Sequence, residues 1–508
     1  MRWLLVLCLL VLAGPVRAEW VVGESDHFRV YARESEKYVR EKVALLEDFR
    51  GLLVNLTGAD MKGRAAEPKL DVYLVRNFGE VRPFSRVSGG FAGSYAATPG
   101  GIMVYVTDGA IPQQIMLHEY ALHFMLSSGG TVYPPWYLSG FAEFMMTATF
   151  APETVTFGNV SDLRGQWLAR HTWMPLHQLL DPQLDMTRRD NANMFYPQSW
   201  LLAHYMLRVE PEKLKLYLQA VAKGEHPAEA FTRHVNEDLL GFQLKLQKYL
   251  FRREMRYSIF KRAKAVPAQV KISNLSPAAD DLLLLLLALR MPLGDDQTKA
   301  RAKEMVEKAA ARHVDDPLAT RTLALLALRL GDRERAAALF DQLLKVAPED
   351  SDLLYWRALS VAPDDEASRA EARRYLVRAF KANPEDWRTL RAYAVLQGSR
   401  NKPLAENDFN VLSLAWEIAP QVTSVAFDMT TAAVHSGDMA LAAKVLAPVA
   451  NGPRDLPSRT LARELFQLVL AGDKAGYLAR MQGDMVEAVD VNEDAAEDAA
   501  EEQVPSGR

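Results

Sequence analysis

Apolar residues follow two patterns along the 508-residue chain, and the change from one to the other divides it. Residues 28–31 and 70–75 alternate apolar and polar positions, as half-buried strands do. Between them Val39, Val43, Leu46, Phe49 and Leu53 recur at helical spacing and predict a long amphipathic helix over 34–56. A Gly-rich stretch, 88–101, reads as a loop, and 102–106 as a further strand. Pro112 then opens a helix where its missing N–H costs nothing. Two helices around Gly129-Gly130 reach about residue 150, and a mostly helical stretch continues to about Lys261. These elements predict an α+β domain over 19–262. Residues 266–277 carry two prolines and few apolar side chains, which predicts a linker at 263–279.

From residue 280 onward the pattern is helical throughout. The leucine run 282–289 is bounded by Asp280, Asp281 and Arg290 and is too short to cross ~30 Å of hydrocarbon, so a buried helix is expected. Pro317, Pro348, Pro384, Pro420 and Pro453, spaced 31, 36, 36 and 33 residues apart, read as closing helical units. That period points to tetratricopeptide (TPR) arrays. Leu323, Ala324 and Ala327 fit a first helix, Gly331-Asp332 its turn, and Ala336 and Phe340 a second helix ended by Pro348. Trp356, Leu359, Ala372, Ala379 and Pro384 fall at equivalent places in the next unit. An irregular helical bundle is the alternative. The expectation is an all-α TPR-like superhelix over 280–483, whose concave surface suits a protein or peptide partner.

Composition narrows this picture. The length exceeds what one core fills. Apolar residues at 49% and charged residues at 24% are ordinary for a soluble globular protein. A net charge of −4 with no Lys/Arg run speaks against nucleic acid as partner. Residues 1–18 read as a secretory signal: Arg2, an apolar run over 4–13, and Val16-Arg17-Ala18 before the cleavage point. Export to the periplasm or outside the cell, with no transmembrane span after cleavage, is expected. The single cysteine, Cys8, lies in that segment, and Leu7 before it argues against lipidation. The mature chain would then have no disulfide and no Cys-type zinc site. Residues 484–502 hold nine acidic residues and no Lys or Arg, which predicts a solvated, disordered tail over 484–508; an acidic docking segment is the alternative.

The candidate chemistry lies at Leu117-His118-Glu119-Tyr120-Ala121-Leu122-His123. Zinc peptidases of the HExxH type set two histidines four apart on one helix face, with the Glu as general base. At about 100° per residue, positions 118 and 123 differ by ~140° around the axis, so His123 does not replace a ligand at 122. The segment resembles the peptidase-MA-like gluzincins, the thermolysin-like metallopeptidases, whose bacterial members commonly read H-E-Y-T-H-H-F. The likeness spans about residues 20–207 and includes Pro135-Trp136-Tyr137-Leu138-Ser139-Gly140-Phe141-Ala142-Glu143 and Phe195-Tyr196-Pro197-Gln198-Ser199-Trp200.

The resemblance implies a gluzincin-like domain with a small mixed sheet and active-site helices. It implies that His118 and Glu119 match a metal ligand and a general base, and that two ligand positions are lost, at Leu122 and Ser139. Glu119 would be a vestigial general base. Glu119 and His123 read otherwise as a helical charge pair, Glu143 as a substitute metal ligand beside His118, and Tyr196 as substrate-facing or as structural. His171, His177 and His204 lack ligand spacing. The expected function is an exported, catalytically inactive peptidase-like scaffold that binds protein or peptide and needs no cofactor. The alternative is a divergent zinc metallopeptidase.

Overall fold

The computed structural model describes residues 20–58, 67–77, 92–108, 111–127, 132–186, 188–251, 255–262, 268–397, 402–451 and 457–482. The signal at 1–18, the Gly129-Gly130 break, residues 88–91 of the Gly-rich stretch and the acidic tail lie outside them.

The amino-terminal half builds two sheets among helices. Its elements are β1 (Val21–Glu24), β2 (Phe28–Ala32), α1 (Glu36–Thr57), β3 (Leu70–Val75), β4 (Gly93–Thr98), β5 (Gly101–Thr107), α2 (Pro112–Leu126), α3 (Pro135–Met145), β6 (Thr149–Phe150), β7 (Thr154–Phe157), α4 (Asp162–Arg170), α5 (Leu176–Leu179), α6 (Arg189–Arg208), α7 (Pro211–Ala222), α8 (Pro227–Val235), α9 (Leu239–Phe251), β8 (Ser258–Lys261) and β9 (Lys271–Asn274). The main sheet is mixed, ordered β4-β5-β3-β2-β1-β9, with β2, β3 and β5 parallel. Alternation gives it two apolar faces. Phe28, Val30, Val72 and Val104 join Val39, Val43, Leu46 and Phe49 of α1 in one core. On the opposite face Tyr31, Tyr73 and Tyr105 are direct cross-strand neighbours, with rings stacked at 4.6 and 5.5 Å.

Several expectations are corrected here. The stretch 150–261 is mostly helical, as expected, but β6, β7 and β8 form an unforeseen second, three-stranded sheet. The segment expected to be a linker supplies β9, which extends the main sheet by pairing with β1, itself unforeseen. Strand β4 falls inside the expected loop. Its Gly, Ser and Ala residues carry little strand signal because α2 packs so closely that a Cβ on Gly93 would stand 2.3 Å from Ile115.

The carboxyl-terminal half is helical: α10 (Ala279–Ala288), α11 (Asp296–Ala310), α12 (Pro317–Arg329), α13 (Arg333–Val346), α14 (Ser351–Leu359), α15 (Glu366–Ala382), α16 (Trp387–Gln397), α17 (Glu406–Ile418), α18 (Thr423–Ser436), α19 (Met439–Ala450), α20 (Pro457–Leu470) and α21 (Lys474–Gln482). Pro317 opens α12 rather than closing a unit, because a helix tolerates proline at its first position. The leucine run in α10 joins the two halves. Ala279, Leu283 and Leu287 cover the tyrosine face of the sheet, while Leu282, Leu285, Leu286 and Leu289 enter the helical core. Facing two cores, this helix is apolar nearly all round. No helix among the described residues is long and apolar enough to cross a membrane.

The helices return to the α+β half at its β4 edge. Trp387, Leu390, Trp416, Val425 and Met429 share its main core, and α18 packs beside β4. Gly100, in the β4–β5 turn, leaves room for the backbone of Arg290, whose carbonyl oxygen a Cβ would approach to 2.7 Å.

Candidate functional site

Ten consecutive residues of α2, from Met116 to Met125, are buried, because the helix is covered by the sheet on one side and by α3 on the other. His123 faces the sheet, with Nδ1 3.2 Å from the Tyr95 hydroxyl of β4. Glu119, one turn earlier, faces the same way: a Cβ on Gly93 would lie 3.0 Å from its Oε1. His118 faces α3, where its Nδ1 lies 3.7 Å from Oε1 of Glu143. The two histidines therefore serve different neighbours.

A residue that the sequence reading missed completes the cluster. Arg164 donates from Nε to Glu143 Oε2 at 3.1 Å and from Nη2 to Oε1 at 2.8 Å. This is the two-pronged geometry that makes guanidinium–carboxylate pairs strong. Ser161 caps α4 by accepting from the backbone N–H of Arg164, which fixes the turn that carries it. The guanidinium also lies 5.9 Å from the ring centre of Tyr196, which is half-buried on α6. The available signal was Glu143 itself: as the only charge in the apolar helix 135–145, it requires a cation from elsewhere.

The protonation states follow from these neighbours. Burial pushes the Glu143 carboxyl up, but Arg164 and His118 more than offset it and leave its pKa below the ordinary carboxylate value. Burial, aided by Arg164, lowers the pKa of His118 against the pull of Glu143. The pair is thus a neutral imidazole beside an ionised carboxylate whose two oxygens are already engaged. His118, Glu119, Leu122, Ser139 and Glu143 are all buried, none more than 8% exposed.

Zinc does not fit this donor set. A catalytic zinc takes three protein ligands and a water. Here Leu122 offers hydrocarbon, Ser139 a neutral hydroxyl, and Glu143 is held by Arg164. Among the described residues no group of three His, Cys, Asp or Glu side chains is arranged to hold a metal. The other histidines stand apart. His204 is fully buried between the Gly158 carbonyl and the Tyr249 hydroxyl, and burial lowers its pKa to about 4. His171 stacks on Trp167 at 3.9 Å, and His177 is exposed.

A second candidate lies in the helical half. A half-open cavity of about 750 Å³ is lined by residues of α12, α14, α15 and α16 and by Pro99 of the β4–β5 turn. Tyr355, Trp356 and Trp387 line it together with several arginines.

Compared with known proteins, the chain matches no family model and no curated protein sequence.

Proposed function

We propose that the protein is an exported, catalytically inactive relative of the gluzincin metallopeptidases that binds a protein or peptide through a TPR-like helical array. The observation that carries this reading is the two-pronged Arg164–Glu143 pair beside His118. A guanidinium supplies the positive charge at this place, the retained carboxylate is consumed by it, and Glu119 is turned toward Gly93 of the sheet. Glu119 has no activated water to work on, since without a metal water keeps a pKa near ~15.7.

The TPR-like assignment is supported by a recurring turn. Gly331-Asp332, Gly437-Asp438 and Gly472-Asp473 each place a glycine at positive φ, with the following aspartate accepting from the backbone three residues on. The intervals, 106 and 35 residues, fit one period of about 35. Export rests on the amino-terminal pattern at 1–18.

The test is incubation of the purified full chain with casein and a mixed peptide library, with and without chelator, alongside metal analysis. No chelator-sensitive cleavage is expected. Such cleavage, with near-stoichiometric zinc lost in His118→Ala, would overturn the proposal.

A further inference from the structure

The cavity at α14–α16 has a wall of unusual chemistry. Among the described residues six cations line it, Arg290, Arg329, Arg369, Arg388, Arg391 and Lys402, against one carboxylate, Glu366. Three of the arginines are backed by aspartates outside the lining. Arg388 donates to both oxygens of Asp386 at 2.9 and 3.0 Å and lies 2.9 Å from Asp352. Arg391 donates to Asp428 at 2.7 Å, and Arg290 lies 3.6 Å from Asp352. Arg329 donates to the carbonyl of Leu289 and sits over the ring of Trp356 at 5.3 Å, as Arg388 sits over Tyr355 at 5.0 Å. These guanidiniums are fixed before any ligand arrives, so little side-chain entropy remains to be lost on binding.

Among the described lining residues donors outnumber acceptors. Nε of Arg290 and Nε1 of Trp356, both buried and both on lining residues, have no hydrogen-bond partner. The backing aspartates moderate the positive field, which suits separated single carboxylates better than the dense charge of a polyphosphate. Leu359, Val395 and Leu396 between the cations add apolar surface for intervening side chains.

We infer that this cavity receives an acidic peptide segment of a partner protein, in which carboxylates alternate with apolar side chains. The inference rests on the proposed reading of the chain as a binding protein and names the ligand class. It does not depend on the state of the His118 site, which zinc content and hydrolysis assess separately.

The test uses the full chain and two fluorescent degenerate octapeptide pools, one with Asp or Glu alternating with Leu, Val or Phe, the other with Asn or Gln in place of the acids. Anisotropy titration at physiological salt is expected to show the acidic pool bound at least about ten-fold more tightly, about 1.4 kcal/mol. The charge reversals Arg369→Glu and Lys402→Glu lie at the more exposed part of the wall and are expected together to abolish the difference while leaving the thermal midpoint unchanged. Should their midpoint fall, the milder Lys402→Gln, expected to weaken the acidic pool about three-fold, carries the test. Equal binding of the two pools, an unaltered affinity in the folded variants, or tighter binding of inorganic tripolyphosphate than of the acidic pool would overturn the inference.

Discussion

The His118 cluster and the α14–α16 cavity both depend on arginine, yet they use it in opposite ways. At His118 one guanidinium turns inward, meets one carboxylate with both prongs, and the group is closed off from solvent. In the cavity several guanidiniums are held from behind by aspartates and aromatic rings, and their front lies on an open volume. A paired charge with no space beside it is structure; a paired charge facing a space is a recognition surface. Asp352 shows how firmly the backing is set. Burial pushes its carboxyl up, but Arg290, Arg321 and Arg388 hold it far below the usual carboxylate range.

Substitutions that separate these roles should differ in size. The largest effect is expected at Arg164→Met, which leaves Glu143 buried and ionised without its partner and should cost roughly 3–5 kcal/mol in denaturant unfolding. Adding Glu143→Gln should restore part of that loss; a cost below about 1 kcal/mol for Arg164→Met would mean the pair is not what closes the site.

Acid stability comes next. The pKa of His204 is lowered in the folded state from 6.5 to about 4. Its contribution is therefore complete above pH 6.5 and is lost as the pH falls through about 4, a change of about 3 kcal/mol. His204→Gln should remove one proton's worth of slope from that window, and an unchanged slope would count against the buried neutral ring.

Gly140 is expected to come third. A Cβ there would stand 2.3 Å from the backbone oxygen of Ser199 and 2.8 Å from Ala203. Gly140→Ala should force α3 and α6 apart at a cost of about 1–3 kcal/mol, read from the thermal midpoint. Arg369→Glu and Lys402→Glu close the series. Their effect on stability should stay within about 0.5 kcal/mol, so that their loss of ligand affinity reports recognition alone.

The sequence was most informative where one physical constraint acts alone. Alternation at 28–31 marked β2, and the 3.6-residue spacing of Val39 to Leu53 marked α1, because each segment buries a single face; 70–75 was legible as a strand although it is buried on both. The leucine run was legible as a buried helix from its length, but that it joins two cores was not, since both sides are equally apolar. Strand β4 was hidden because close approach of α2 selects Gly, Ser and Ala, which read as loop. Strand β9 was hidden because Lys271–Asn274 sits at the sheet edge with polar, largely exposed side chains.

At the candidate site the opposed directions of His118 and His123 follow from helix geometry and were legible. The partner of Glu143 was not, because Arg164 lies 21 residues away on another helix and no local pattern ties the two. The cavity was invisible for the same reason: its cations come from three helices, the turn after α10 and the chain near Lys402, and none of them forms a run.

The proposed reading is that a gluzincin-like metal site has been lost by two side chains while its frame persists. The most direct measurement is calorimetric titration of zinc into the parent chain and into the Leu122→His/Ser139→Glu variant under identical conditions. The account predicts no saturable site in the parent and one zinc per chain in the folded variant. One zinc per chain in the parent, abolished by His118→Ala, would contradict it.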